Sequence, residues 1–307
     1  MKRTPLFAVL LATIFVCGLA ATFSNFHTAL AKRDNSMPQP LTIIRLGNPQ
    51  LSDIDAPGAS VDNHPTGMAF YQRSWVGGEL GNVEFSHGPH SFTVENVLSI
   101  LGTADQDVPE GIFKWNVNFG VSPQQADTDE AARARVMSFL AMLRAAGWKR
   151  YIDVLDPRLL GRQAWTYGTD PDGLGLYSLD SSYTPTLDEW TAATRYGPRW
   201  KFQADGVYLE VVVSRSNMGG FVGKSTYLIS VKAQSEFSNY GIGFFSGKRE
   251  KIMHWKDLIA PELARYHKDR LATEAKLRAT GYTIDTTYQD PPIKSLQSPA
   301  SDTQRGS

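Results

Sequence analysis

Cysteine is almost missing from this chain: Cys17 is the single one in 307 residues. One thiol makes no intramolecular disulfide and no thiolate metal site, so neither can staple the fold. Net charge is missing as well, with 31 Lys and Arg against 31 Asp and Glu. A chain without a basic excess lacks the electrostatic footprint of nucleic-acid binding. Linear catalytic signatures are also wanting. There is no Gly-x-Ser-x-Gly elbow, no His-Glu-x-x-His pair, and no cysteine nucleophile beyond the amino-terminal segment. What is present is 42% hydrophobic residues, 11% of the chain being aromatic, which is enough to bury a core.

The amino terminus sets the compartment. Lys2 and Arg3 precede an uncharged stretch that ends at Ala31, with its apolar heart from Pro5 to Phe23. Residues 1–31 read either as a signal peptide cut after Ala29-Leu30-Ala31 or near Ala20, or as an uncleaved inner-membrane anchor. Both readings export everything that follows, giving a periplasmic protein that is soluble after cleavage or tethered to the inner membrane. Cys17 follows Ile14-Phe15-Val16, a poor match to a lipidation site. Setting this segment aside removes two basic side chains and no acidic ones, so the exported part carries net −2 and no cysteine. Its stability must come from core packing.

Periodicity then outlines the fold. Leu41–Leu46 reads as a short strand after the Pro-rich Met37–Pro40, and residues 47–92 as loops and short strands. Phe113, Trp115, Val117, Phe119 and Val121 alternate with Lys114, Asn116, Asn118 and Gly120, the pattern of a strand with one buried face. Asp127-Thr-Asp-Glu130 resembles a capping box, and Ala132, Val136, Phe139, Leu140 and Leu143 follow on one helical face up to Gly147. Trp148–Ile152 starts a return strand. Residues 156–198 form a long polar and aromatic connection with a short helix near Leu187–Trp190. Asp205-Gly206 turns a hairpin between Trp200–Phe202 and Val207–Val213, and Tyr227–Ala233 adds a third strand. A final helix, mostly solvated, runs from Pro261 to Gly281, and residues 291–307 read as a disordered tail. The expectation is an α+β fold, an antiparallel sheet packed against helices in two layers. It occupies residues 38–290 as one periplasmic domain, with a loop-rich part over 40–110 and the core over 111–290.

Several local patterns approach known chemistry and stop short. Gly219–Thr226 resembles a phosphate-binding loop, but Met218 stands where that loop needs glycine, and a strand rather than a helix follows. His87-Gly-Pro-His90 offers two imidazoles at a turn, too few for a metal. Asp170-Pro-Asp172-Gly173 lacks the bidentate Glu of a calcium loop. Carboxylate pairs such as Asp105/Asp107 and Asp188-Glu189 carry no recognisable spacing. No catalytic residue, cofactor or metal site is expected. The aromatics of the long connection are the positive signal, and Trp165, Tyr167, Tyr183, Trp190 and Tyr196 are the candidate partner-binding residues.

A set of phrases also carries a family resemblance: Leu143-Arg-Ala-Ala-Gly-Trp-Lys-Arg-Tyr-Ile152, Asp156-Pro-Arg158, Tyr183-Thr-Pro-Thr-Leu-Asp-Glu-Trp190, Trp200–Leu209 and Gly281–Pro292. Together, over roughly residues 110–292, they resemble exported proteobacterial proteins encoded beside type VI secretion lipase effectors and taken to be their periplasmic immunity proteins. The resemblance implies a non-catalytic partner of a phospholipase toxin, blocking its active site or its access to the membrane. The chain itself would meet the membrane only through its amino-terminal segment. It supplies no active-site residues. The alternatives are an envelope hydrolase with an unrecognised carboxylate site and a structural envelope or secretion accessory protein.

Overall fold

The computed structural model describes residues 40–47, 58–76, 78–170, 175–217 and 222–297. Residues 1–31, read from sequence as a signal peptide or membrane anchor, lie outside the described residues, and among those described no helix is long and apolar enough to cross a membrane. The fold is α+β. Its sheet comprises β1 (Leu41–Ile44), β2 (Ala59–Asn63), β3 (Met68–Ser74), β4 (Gly81–Phe85), β5 (Phe92–Asp105), β6 (Ile112–Gly120), β7 (Ala126–Asp127), β8 (Lys149–Arg150), β9 (Arg199–Ala204), β10 (Val207–Ser216) and β11 (Ser225–Ser235). The main path runs β1-β4-β5-β6-β11-β10-β9-β8, with β2 and β3 joined through β5 and β7 through β11. Pairing is antiparallel except between β1 and β4, which run parallel.

Alternation along β6, β9, β10 and β11 gives this sheet two chemically different faces. Trp115, Val117 and Phe119, Trp200 and Phe202, Leu209, Val211 and Val213, and Tyr227, Ile229 and Val231 point into the larger apolar cluster. Helix α1 (Asp129–Ala145) closes that cluster with Ala132, Val136, Leu140 and Leu143. Its start is capped by the Thr128 side chain, which accepts from the Ala131 N–H at 3.2 Å, and Asp129 and Glu130 sit against the dipole's positive end. Its end turns through Gly147 at φ +86, with the Trp148 N–H on the Leu143 carbonyl and the Gly147 N–H on that of Arg144. Helices α2 (Gly161–Gly168) and α3 (Leu187–Ala193) add Ala164, Trp165, Trp190 and Ala193 to the same cluster.

The opposite face carries a smaller cluster. Phe113, Tyr151 and Tyr208 meet Phe237, Tyr240 and Phe245 from a π-helical turn (Phe237–Ile242) and the short helical segment that follows it. After α4 (Arg249–Met253), Trp255 and Ile259 of α5 (Trp255–Ala279) complete it. The helix therefore begins six residues before Pro261, not at it. Burial of Trp255 and Ile259 anchors the first turn, and the proline removes only one backbone donor from the second.

Three further expectations change. The return strand after Trp148 shrinks to Lys149–Arg150, because the chain is drawn away at Ile152, whose N–H donates to the Tyr288 hydroxyl at 2.9 Å. The surface of α5 is mostly solvated, as expected, but two of its charged residues are buried, Arg270 at 1% and Glu274 at 0% exposed. Residues 291–297 are docked, with Ile293 buried and the Ser295 N–H on the Glu236 carboxylate at 2.8 Å; residues 298–307 lie outside the description. Helix α2, which no local signal announces, has no side-chain cap of its own. The Gly161 N–H instead donates to Asp180 Oδ2 at 2.8 Å, a partner distant in sequence.

The buried charges of α5 hold the connection that follows β8. Glu274 receives the Arg158 side chain at Nε and Nη2, both at 2.8 Å, and the Arg158 backbone N–H at 3.1 Å. Arg270 forks onto Asp290 at 2.9 Å and donates to the Asp153 carbonyl at 2.8 Å. Replacing Glu274 by Ala leaves the Arg158 guanidinium without its counter-charge. The expected loss is about 3 kcal/mol in urea unfolding, whereas the paired replacement Arg158→Met, Glu274→Leu restores most of it.

Candidate functional site

The second sheet face, the connection from Tyr151 to Asp156 and the π-helical turn enclose a cleft of about 710 Å³. Its floor follows from strand register. Glu210 on β10 stands opposite Lys201 on β9 and Lys232 on β11, so alternation places three charges in one row across the sheet. Glu210 lies 3.5 Å from Lys232, 3.4 Å from Arg199 and 3.9 Å from Lys201. Lys201 also forms a close ion pair with Asp153. Burial pushes the Glu210 carboxyl up, yet Lys232, Arg199 and Lys201 outweigh it and hold it below the usual range. Burial likewise pulls Lys201 down, and Asp153 and Glu210 outweigh it, so the ammonium is held above its ordinary value. Lys114, further along the same face, is lowered by burial and by Lys232.

The cleft wall is a turn at Asp153–Asp156, closed by the Asp156 N–H on the Asp153 carbonyl at 2.8 Å. Arg270 grips that turn from α5. Asp156 is half-buried and lines the cleft. Among the described residues no hydrogen bond or salt bridge reaches its carboxylate. Burial, reinforced by the neighbouring Asp153, raises its pKa to about 7. Tyrosines complete the walls: Tyr151, Tyr167, Tyr177, Tyr208 and Tyr266. The Tyr177 hydroxyl donates to the Pro157 carbonyl at 2.9 Å, and its pKa is pushed up to about 12, chiefly by burial. At the mouth, Leu155 and Leu176 are 45% and 50% exposed.

The five aromatics expected to meet a partner do not share one surface. Trp165 is 2% exposed, packed against Trp200 and Tyr183 at 6.3 and 6.0 Å between ring centres. Trp190 is 0% exposed, stacked on Tyr227 and donating from its indole N–H to the Tyr227 hydroxyl at 3.2 Å. Both are core residues, because α2 and α3 turn them onto the sheet, and neither is available to a partner. Tyr183 is half-buried and donates to Glu189 at 2.8 Å. Tyr167 lines the cleft, 5.0 Å from Tyr177. Tyr196 is 60% exposed, and its carbonyl lies close to Gly175 at the cleft mouth.

The other patterns resolve simply. His87 and His90 flank a 3₁₀ turn and bond the Ala204 and Ala146 carbonyls at 3.1 and 2.8 Å, both packed near Trp148. Among the described residues no group of three or more His, Cys, Asp or Glu side chains is placed to hold a metal. Asp105 and Asp107 clamp Arg249, and Glu189 closes a true capping box with Thr186. Residues 218–221 and 171–174 lie outside the description, but Lys224 leads directly into β11, a strand. In comparison with known proteins, no family model, no curated protein and no solved structure matches this chain.

A carboxyl with a raised folded-state pKa favours folding below its unfolded value of about 3.9, and that advantage is lost as pH rises through the folded value. For Asp156 the window is from about 4 to about 7. Asp156→Asn removes the titration. The variant is therefore expected to gain stability relative to the natural protein as pH rises across that window and to level off above it, read from paired urea unfolding curves.

Proposed function

We propose that this protein is a non-catalytic, periplasmic immunity protein that binds a type VI secretion lipase effector and blocks its active site or its approach to the membrane. The observation that carries the reading is the cleft mouth. Exposed Leu155 and Leu176 flank a recessed charged floor, the mixture of apolar contact area and fixed charge that receives a projecting partner segment. The phrases behind the family resemblance support it by position. Tyr151, Asp156, Lys201 and Tyr208 line the cleft, and Tyr288 holds its turn through Ile152. The Tyr183–Trp190 phrase is the exception, serving the core beneath α3.

Such an inhibitor acts by stoichiometric occlusion. Export through the amino-terminal segment would place it where the toxin works, and tethering would raise its effective concentration at the lipid surface. Co-expression with a periplasm-directed lipase effector from the same genome tests this. The natural protein is expected to restore growth, and Leu155→Asp with Leu176→Asp to lose at least tenfold of that protection at unchanged protein level and melting temperature. Failure of the purified natural protein to bind the lipase removes the reading.

One observation favours a second reading, an envelope hydrolase. Asp156 is poised near neutrality beside Asp153, which faces a lysine, and a protonated carboxyl next to an ionised one is the pairing that acid–base hydrolysis uses. Turnover of a lipid or glycan that falls at least a hundredfold in both Asp153→Asn and Asp156→Asn would favour this reading over occlusion.

A further inference from the structure

We infer that the floor of this cleft is a receptor for one organic cation, a guanidinium or ammonium group, seated against the Asp156 carboxylate beside the Tyr167 ring. The inference rests on the proposed partner-binding role of the cleft and gives it a chemistry: the cation is the end of an Arg or Lys side chain on the partner.

Charge matching around the cleft leads to this. Every cation that acts on Asp156 is already engaged elsewhere. Lys201 is paired with Asp153 and reaches Glu210 at 3.9 Å. Arg270 is forked onto Asp290 at 2.9 Å. Arg150 donates to the Leu159 and Ser178 carbonyls and, at 3.2 Å, to the Tyr177 hydroxyl. Lys232, on the floor, is held by Glu210 at 3.5 Å. Asp156 alone among these groups has no partner, and it opens into a cavity of about 710 Å³, far larger than a guanidinium needs. A carboxylate recessed in this way is costly unless a counter-charge arrives.

The surroundings select an organic cation over the other candidates. An anion would have to displace Asp153 or Glu210 from their lysines and then face Asp156 and Asp170, which also line the cleft. A metal ion lacks its ligand set, since among the described residues no cluster of three or more suitable side chains exists. Aromatic walls suit a soft, weakly hydrated cation. Arg150 already lies over Tyr177, 5.8 Å from its ring centre, and Arg265 over Tyr266 at 4.2 Å. Tyr167 is close enough to Asp156 for that carboxylate to raise its pKa, after burial.

Proton linkage gives the inference a distinctive signature. Burial and Asp153 raise Asp156, opposed by Lys201, Arg270 and Arg150, and the result is about 7. The neighbouring Tyr167 and Tyr177 stay neutral there, both being shifted upward. A cation favours the ionised carboxylate, so binding below neutrality must release a proton and weaken as pH falls.

The test is calorimetric titration of the full chain, in detergent, with N-acetyl-arginine methylamide. One probe per chain is expected to bind, about tenfold more weakly at pH 6 than at pH 8, with proton release at the lower pH. Asp156→Asn is expected to lose at least tenfold at pH 8 and all pH dependence, while Asp269→Asn, on the exposed side of α5, retains both. A cooperative thermal transition at or above the melting temperature of the natural protein shows that the variant is folded. No binding to the natural protein, or equal binding to Asp156→Asn, overturns the inference. Spermidine binding a hundredfold tighter through the same carboxylate overturns the side-chain assignment in favour of a free polyamine. Asp156→Asn that loses the probe yet still neutralises the lipase separates the receptor from the partner contact and leaves the immunity reading standing. A natural protein that binds the probe but not the lipase does the reverse.

Discussion

Two buried charges on one helix, Arg270 and Glu274, hold the cleft-forming half of this protein in place. Neither touches the cleft. Four residues apart on α5, they face the same way and seize different stretches of the chain: Arg270 the Asp153 carbonyl and Asp290, Glu274 the side chain and backbone of Arg158. The segment between those anchor points is the turn that carries Asp153, Leu155 and Asp156. Without the clamp that turn would be an ordinary surface loop after an edge strand of two residues. Buried ion pairs contribute little net stability compared with apolar replacements, so their value here is positional. They fix one conformation of a connection whose own sequence has no strong turn or helix signal.

The sheet was legible from alternation in β6 and β9–β11, but not in the stretch over 40–110 read as loop-rich, where β5 is the longest strand and Val83, Val94, Val97 and Ile100 belong to the core; the helices were read less evenly. Period two placed Trp115, Val117 and Phe119 on one face, and Asp205-Gly206 fixed the β9–β10 hairpin, both residues standing at positive φ. Helix α1 was marked at each end by local chemistry, Thr128 and Gly147. Helix α2 was not, because its cap comes from Asp180, 19 residues further on and beyond the reach of any local capping pattern. The start of α5 was hidden by Pro261, whose usual meaning was overridden by the burial of Trp255 and Ile259. In each case the missing information was tertiary.

For the site, half of the answer was available in the hairpin. Its turn pairs Ala204 with Val207, and counting outward brings Lys201 opposite Glu210 on the face away from Leu209 and Trp200. Alternating polar residues usually mean solvent, and here they mean a floor, because the π-helical turn and α5 roof part of that face. The Asp153–Asp156 turn could not be counted in the same way, since its position depends on Arg270 from more than a hundred residues away. The aromatic-loop argument failed for Trp165 and Trp190 on a physical point. A connection that folds into helices of its own turns its largest apolar side chains inward, and composition alone does not distinguish that from display.

Asp156 sharpens what kind of site this is. Lys201, Lys232, Asp153 and Glu210 are matched in ion pairs, so the protein plainly has the means to neutralise a carboxylate in this region. Among the described residues Glu210 is given three cations and Asp153 one, whereas Asp156 is given none within ion-pair distance. An arrangement serving stability alone would put an Asn or an apolar residue there. Keeping a recessed carboxylate next to a second one costs folding free energy that is recovered only when something positive occupies the cavity. The rim supplies apolar contact that is not specific by itself, and the unmatched charge beneath supplies the discrimination. A partner that brings the right cation gains from relieving the carboxylate, and one that brings an anion meets it as repulsion. On the proposed reading, affinity and selectivity would reside in different layers of the same cleft, Leu155 and Leu176 above and Asp156 below, with the α5 clamp keeping the two in register.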